Sequence, residues 1–168
     1  MAGPRRSREP KHPLDCHERA LRLLSVRARS RRELQRRLVG AGFEAEEVDA
    51  ELERLELVGL IDDERFAREY AEHYLGNRHA GRRSVASGLA AKGVDRRTVE
   101  RTLAEAPGSD AERAEELALD RAPRLRSLPP DKAYARLVSF LMRRGHDPET
   151  ARRAARSALE VEGTDAEP

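Results

Sequence analysis

The sequence predicts an all-α fold, built as three tandem three-helix repeats in an elongated, curved array. One pattern of apolar residues and glycine occurs three times, with its glycines 51 and 52 residues apart, a period typical of helical repeats. No segment alternates apolar and polar residues as a half-buried strand does. Apolar and charged residues each make up 38%, which favours three small cores in a row over one large core. The three copies of the pattern are Leu34, Leu38, Gly42, Phe43, Val48; Val85, Leu89, Gly93, Val94, Val99; and Leu137, Leu141, Gly145, His146, Ala151.

The glycine of each copy is placed to end one helix and start the next. A leucine four residues before a glycine that is followed by an apolar residue is typical of a Schellman motif, in which glycine takes the left-handed conformation. Asp95 and Asp147 then stand where N-caps are needed, and Glu44 is a weaker cap. Pro148 suits a first helical position. The third copy is the weakest, because His146 stands where the others carry an apolar residue.

Caps and prolines set the helix boundaries. Ser30 is predicted to cap the second helix, with Glu33 at capping-box spacing. Asp62 or Asp63 opens the second repeat, and Pro123 stops the first helix of the third. The predicted helices are 16–28, 31–40 and 44–57 in the first repeat, 63–75, 82–92 and 95–106 in the second, and 110–122, 131–144 and 147–161 in the third.

Apolar residues at helical spacing mark the faces that should pack inward. Phe66 and Tyr70, four residues apart, are expected in the core rather than as stacking surfaces for unpaired bases, whereas Tyr74 fits either role. The other core residues, predicted on the first and third helices of the repeats, are Ala20, Leu21, Leu23, Leu24, Ala28, Val48, Leu52, Leu55, Ala67, Ala71, Ala151, Ala154, Ala155, Ala158 and Leu159.

The chain is expected to be cytoplasmic and to have no contact with a membrane. It has no run of 18 apolar residues, and its basic N-terminus has no apolar stretch behind it. The single Cys16 makes no internal disulfide and fits a reducing compartment. The predicted segments are a disordered basic tail at 1–13, repeats at 14–61, 62–107 and 108–161, and a disordered tail at 162–168.

A net charge of +2 conceals strongly charged blocks, and the basic ones contain arginine doublets. The blocks carry +5 over 27–40, −9 over 41–64, +5 over 76–101, −5 over 104–120 and +7 over 121–156. One interpretation is a surface that meets DNA phosphates or acidic patches of a protein. The other is a set of solvated faces, paired within the molecule to the acidic third helices. The candidate contacts are Arg31, Arg32, Arg36, Arg37, Arg82, Arg83, Arg96, Arg97, Arg143, Arg144, Arg152 and Arg153.

The sequence gives little support to an enzyme, and no catalytic, cofactor-binding or metal-binding residue is predicted. The chain contains neither a Walker A string nor a G-x-S-x-G string, and its five histidines lack zinc-ligand spacing. The acidic cluster of Asp62, Asp63 and Glu64 is expected to be an N-cap with acids in the first helical turn rather than a cation site.

The sequence resembles the RecX family of recombination regulators over roughly residues 14–160. Taken together the matching strings are fairly specific, and the first two repeats match more closely than the third. They are S-R-R-E-L-Q-R-R-L from Ser30 to Leu38, G-L-I-D-D-E-R-F-A-R-E-Y from Gly59 to Tyr70, the step Gly81-Arg82-Arg83, and L-A-A-K-G-V from Leu89 to Val94.

The resemblance implies a regulator without enzymatic activity or cofactor. Members of this family are tandem three-helix repeats that bind the filament of RecA recombinase on single-stranded DNA. They modulate, usually inhibit, its ATPase, strand-exchange and co-protease activities, and so regulate homologous recombination, DNA repair and the SOS response. The implied partner is the RecA filament, with DNA itself as a further partner, and we expect a monomer.

Two other functions compete with this one. A direct DNA-binding protein would use one helix pair as a helix-turn-helix, with the third helix of a repeat as the recognition helix. Residues 44–57 are too acidic for that role, whereas 95–106 and 147–161 are not. The remaining alternative is a helical scaffold for some other protein.

Overall fold

The computed structural model describes residues 14–164, with side chains as far as Glu160. The tail predicted at 1–13 and residues 165–168 of the tail predicted at 162–168 therefore lie outside the described residues. All regular structure in the described part is helical. The all-α prediction of three tandem three-helix repeats is confirmed, while their elongated, curved arrangement stays a prediction. The α-helices are α1 Cys16–Val26, α2 Arg31–Gly40, α3 Ala45–Leu57, α4 Asp63–Ala71, α5 Arg82–Ala91, α6 Arg96–Glu105, α7 Asp110–Arg121, α8 Pro130–Arg143 and α9 Pro148–Thr164.

The ends of α4, α7 and α9 differ most from the prediction, while the other helices end within two residues of it. α4 passes at Ala71 into a π-helical turn, Glu72–Asn77, whereas a regular helix to residue 75 was expected. α7 continues past its predicted stop as a 3-10 turn, Ala122–Leu125, which accommodates Pro123 in its first two positions because no helical N–H bond is needed there. α9 runs three residues beyond its predicted end at 161, so residues 162–164 are helical.

Most of the predicted caps form, but the weaker cap at Glu44 and the capping box at Glu33 do not. Asp95 and Asp147 accept hydrogen bonds from backbone N–H groups of the first turns of α6 and α9, and Glu44 makes no side-chain cap. The hydroxyl of Ser30 accepts from the N–H of Glu33 (3.1 Å). Glu33 does not complete a capping box, because its carboxylate is occupied by Arg29 (2.7 Å) and other basic side chains.

The third glycine turn is as complete as the first. In the first, the Phe43 N–H donates to the Leu38 carbonyl (3.3 Å) and the turn glycine donates to Val39 (2.9 Å), which is the Schellman pattern. In the third, His146 donates to Leu141 (3.2 Å), and Gly145 adopts a φ of +92°. The weaker turn predicted from His146 is therefore not seen in the backbone hydrogen bonds, and His146 is 1% exposed.

The chain divides into two compact units, one of residues up to 66 with 92–94 and the other of 67–91 with residues from 95 onward. In the first unit, Leu34, Leu38, Leu52 and Leu55 are fully buried. Phe66 is buried as predicted, but Leu21, within α1, and Ala28, beyond the end of α1 at Val26, are exposed. The core of the first unit contains Cys16, Ala20, Leu34, Leu38, Val48, Leu52, Leu55 and Ile61.

In the second unit, a continuous core joins α7, α8 and α9. Alanines supply much of it on α9, where small side chains allow close packing of the helix against its neighbours. Tyr70 is only half-buried, with its ring 4.4 Å from that of Tyr74. The core residues are Ala114, Leu117, Ala118, Ala122, Leu125, Ala133, Leu137, Leu141, Ala151, Ala154, Ala155 and Ala158.

Candidate nucleic-acid and partner interface

The candidate arginines differ in their solvent exposure. Half-buried are Arg31, Arg82 and Arg144. Exposed are Arg32, Arg36, Arg37, Arg83, Arg96, Arg97, Arg143, Arg152 and Arg153. Neighbouring residues of a helix point about 100° apart, so the two members of a doublet do not share one helix face.

Several of these arginines have partners within the protein. Arg31 pairs with Glu56 of α3 (3.1 Å), which is the kind of contact that the solvated-face interpretation predicts. Arg96 pairs with Glu100 one turn later (2.6 Å), although its side chain is 89% exposed. The guanidinium of Arg144 donates to the carbonyl of Arg78. The contacts of Arg31 and Arg144 favour a structural role for these two side chains, whereas the exposed pair of Arg96 and Glu100 contributes little to stability.

The structure brings two doublets of the second unit together. The N–H of Gly81 donates to the carbonyl of Arg144 (2.8 Å), and that of Arg83 to the carbonyl of Gly145 (3.3 Å). A Cβ atom on Gly81 would lie 2.0 Å from the Gly145 carbonyl carbon, so only glycine allows this approach. The start of α5 and the turn after α8 therefore present Arg82 and Arg83 close to Arg143 and Arg144.

In the first unit, the start of α2 packs in the same way on the glycine turn after α5. The hydroxyl of Ser30, just before α2, donates to the carbonyl of Lys92 (2.5 Å). The aliphatic part of Arg32 packs on Gly93, where a Cβ atom would lie 2.5 Å from that of Arg32. Part of Arg32 is therefore used in packing, which its position in a doublet did not indicate.

An aspartate anchors the start of each of these helices. Asp63 accepts from the N–H of Arg31 (2.8 Å). Asp110 accepts from the N–H of Arg82 (3.0 Å), and its other oxygen lies 3.2 Å from Nδ1 of His146. Burial would raise the pKa of Asp110, but the hydrogen bonds of His146 and Arg82 hold that pKa below its usual value.

The acidic cluster at residues 62–64 behaves as the predicted cap. Asp62 accepts from the N–H of Arg65 (2.9 Å). Across the residues that the structure describes, no group of three or more His, Cys, Asp or Glu side chains is arranged to hold a metal ion.

Glu33 forms ion pairs with basic residues of the first unit. Its carboxylate accepts from Arg27 and Arg29 and lies 3.5 Å from the Lys92 ammonium. Burial would raise the pKa of Glu33, but the hydrogen bonds and the positive charges around it lower it overall. Part of the basic block at 27–40 is thus neutralised internally.

The single cysteine is not a reactive thiol. Cys16 is buried in the core of the first unit. Burial, together with the charges of Glu47, Glu51 and Asp15, raises the pKa of this thiol to about 11. Because the thiolate is the nucleophilic form, Cys16 does not supply a nucleophile at neutral pH.

Two cavities of the second unit differ in charge. The larger, of about 680 Å³, lies between the π-helical turn, the end of α6 and the start of α7. Its lining contains four glutamates, Glu72, Glu105, Glu112 and Glu116, against two arginines, Arg68 and Arg113, and this excess of negative charge disfavours a phosphate ligand. The smaller, of about 440 Å³, we name the α8 groove; it is lined by Arg121, Leu125, Ala135, Arg136, Ser139, Phe140 and Arg143.

Sequence reasoning identified only Arg143 of this groove. Arg136 and Arg121 are single arginines, and a search for doublets passes over them. The spacing of Arg136, Ser139 and Arg143, three and then four residues apart, was the available signal, because it places them on one face of a helix.

Comparison with known proteins identifies related chains over most of the sequence. Three family models match in order: "RecX, first three-helix domain" over residues 16–55, "RecX, second three-helix domain" over 62–103, and "RecX, third three-helix domain" over 109–155. "Regulatory protein RecX" of Mycobacterium sp. (strain KMS) is 37% identical over 159 residues, covering 89% of this chain and 85% of the relative. The protein of the same description from Mycolicibacterium smegmatis is 40% identical over 136 residues, covering 78% and 72%.

Solved structures resemble this one in fold. The crystal structure of RecX from Lactobacillus salivarius superposes with a TM-score of 0.74 at 20% identity, covering 87% of this chain and 95% of that one.

In the described part of the chain, no helix is long and apolar enough to cross a membrane.

Proposed function

This chain belongs to the RecX family of regulatory proteins, and from that premise we propose that it binds the RecA filament on single-stranded DNA and inhibits its ATPase, strand-exchange and co-protease activities. The match of all three family domains in order, over residues 16–155, carries the proposal. The family is one of regulators rather than enzymes. In this proposal the protein acts as a monomer in the cytoplasm.

The alternation of charge along the chain supports this mode of action. Basic segments are suited to DNA phosphates and acidic segments to basic patches of a recombinase. A rigid helical protein bound to more than one RecA protomer would oppose the rearrangements that accompany ATP turnover. Inhibition then follows from binding alone, and the regulator needs no active site.

The doublet at the start of α5 is the candidate contact that we would test first. Arg83 is exposed, and the half-buried Arg82 contacts Asp110 through its backbone N–H. We expect the double substitution Arg82→Ala and Arg83→Ala to weaken binding to RecA filaments roughly tenfold, since exposed charges act mainly through long-range attraction. Co-sedimentation of the protein with filaments assembled on single-stranded DNA measures this.

The matched control removes two exposed arginines of α1, Arg19→Ala with Arg22→Ala, and should bind nearly as wild type does. Circular dichroism should show equal helicity for all three proteins. Equal filament binding by the two double variants would remove the α5 doublet from the interface. Absence of any filament binding by the wild type would contradict the proposed function itself.

Direct binding to duplex DNA is the second candidate function. It is favoured by α9, where three arginines, Arg152, Arg153 and Arg156, outnumber two glutamates, Glu149 and Glu160, around a shallow depression of about 420 Å³. Tight, sequence-dependent binding to a duplex in the absence of RecA would support this alternative. Failure to bind either DNA or RecA would leave the scaffold interpretation.

A further inference from the structure

The α8 groove combines positive charge with an aromatic ring. Three of its seven lining residues are arginines, one is Phe140, and no Asp or Glu lines it among the described residues. The surrounding block 121–156 carries a net charge of +7, the most positive of the chain. The groove is therefore a concave site for an anion with an apolar or aromatic part.

The arginines of α8 are spaced along one side of the helix. Arg136 and Arg143 are seven residues apart, or two helical turns, which places their backbones about 10.5 Å apart. Both side chains are exposed, and the exposed Ser139 lies between them. Two guanidinium groups and a hydroxyl in a row suit successive oxyanions on an extended ligand better than a single small anion.

Arg121 and Phe140 line the groove beside these arginines and form what we call its aromatic wall. The guanidinium carbon of Arg121 lies 5.2 Å from the centroid of the Phe140 ring, within the range of a cation–π contact. The ring is half-buried against the core of α7, α8 and α9, so its position is fixed before any ligand arrives. A planar guanidinium over a ring offers a flat surface on which a base can stack.

We propose that the α8 groove binds single-stranded DNA, with phosphates at Arg136 and Arg143 and an unpaired base on the surface of Arg121 and Phe140. An acidic peptide would use the arginines but leave the aromatic wall without a role. A duplex keeps its bases stacked inside the helix and would not reach that wall. This inference goes beyond the proposed function, because it requires no recombinase.

The test is the fluorescence anisotropy of a labelled oligothymidylate titrated with the purified protein alone, at several salt concentrations. Arg136→Ala with Arg143→Ala should weaken binding at least roughly tenfold and reduce the log–log salt slope by about 1.4, as the loss of two phosphate contacts to a single strand predicts. Phe140→Leu keeps an apolar side chain in the core but removes the ring, and should weaken binding roughly tenfold.

The matched control is Arg68→Ala with Arg124→Ala, which removes two exposed arginines of the same unit from outside the groove. It should retain most of the affinity. The proposal is overturned if the groove double variant binds no more weakly than this control. It is equally overturned if Phe140→Leu binds as wild type does, or if a polyglutamate peptide binds and the oligonucleotide does not. Because RecA is absent, these results are independent of the filament-binding experiment.

Discussion

Replacing Gly81 with Ala is expected to lower the free energy of unfolding by about 3 kcal/mol, through overpacking and lost hydrogen bonds. An added Cβ atom would lie 2.0 Å from the carbonyl carbon and 2.1 Å from the carbonyl oxygen of Gly145, and 2.2 Å from the backbone nitrogen of His146. These neighbours are backbone atoms, which no change of rotamer moves away. Separating the two segments would also lengthen the bond from Gly81 to the Arg144 carbonyl.

Urea unfolding followed by circular dichroism measures this effect, and the melting temperature should fall by roughly 10 °C. The control is Gly76→Ala in the same unit, where an added Cβ atom meets nothing within 4 Å. Its stability should stay within about 0.5 kcal/mol of wild type. Equal stability of the two variants would mean that the start of α5 does not pack on the turn after α8 as described.

Replacing Glu33 with Gln is expected to lower the free energy of unfolding by about 3 kcal/mol at neutral pH. The substitution preserves size but removes the charge that faces Arg29, whose side chain is 6% exposed. Removing one partner of a buried pair leaves the other charge desolvated without compensation. Glu53→Gln, at an exposed position of α3, is the control and should change stability little.

The difference between wild type and Glu33→Gln should depend on pH. The pKa of Glu33 in the folded protein is lowered, so its charge stabilises the fold at every pH above the unfolded-state pKa of about 4.3. That contribution is lost as the pH falls from about 4.3 through the folded-state pKa. Unfolding curves should therefore differ most at neutral pH and converge in acid. A constant difference over the whole range would show that the carboxylate charge is not responsible.

The helices could be predicted from the sequence because their signals are local. Ser30, Asp95 and Asp147 cap the helices that they were expected to cap, since a side chain bonding two or three residues ahead depends only on nearby residues. The Schellman turns follow for the same reason. The π-helical turn at Glu72–Asn77 carries no comparable signal, as its residues are also compatible with a regular helix.

The contacts between repeats could not be predicted, because they depend on residues distant in the sequence. Gly81 meets Gly145, and Asp110 meets both Arg82 and His146, across separations that no local pattern encodes. His146 therefore looked like a weak staple, whereas it is a buried link: its Nε2 lies 3.1 Å from the His79 carbonyl.

The candidate interface was only partly foreseen for the same reason. Two of the doublets lie at the start of α5 and in the turn after α8, which the structure brings together, and their role in an interface stays a prediction. They did not distinguish Arg31, which pairs with Glu56, from arginines that are open to a ligand. The α8 groove was missed because Arg121 and Phe140 are adjacent only in the folded chain.

The most direct test of the proposed regulation is the ATPase rate of RecA on single-stranded DNA as this protein is added. The measurement is made at moderate salt, where exposed charges are partly screened, with the protein well below one copy per RecA. We expect the rate to fall at these substoichiometric ratios, because one regulator bound along the filament affects more than one protomer. An unchanged rate, with the filament assembled and the protein folded, would contradict inhibition of RecA as the function of this chain.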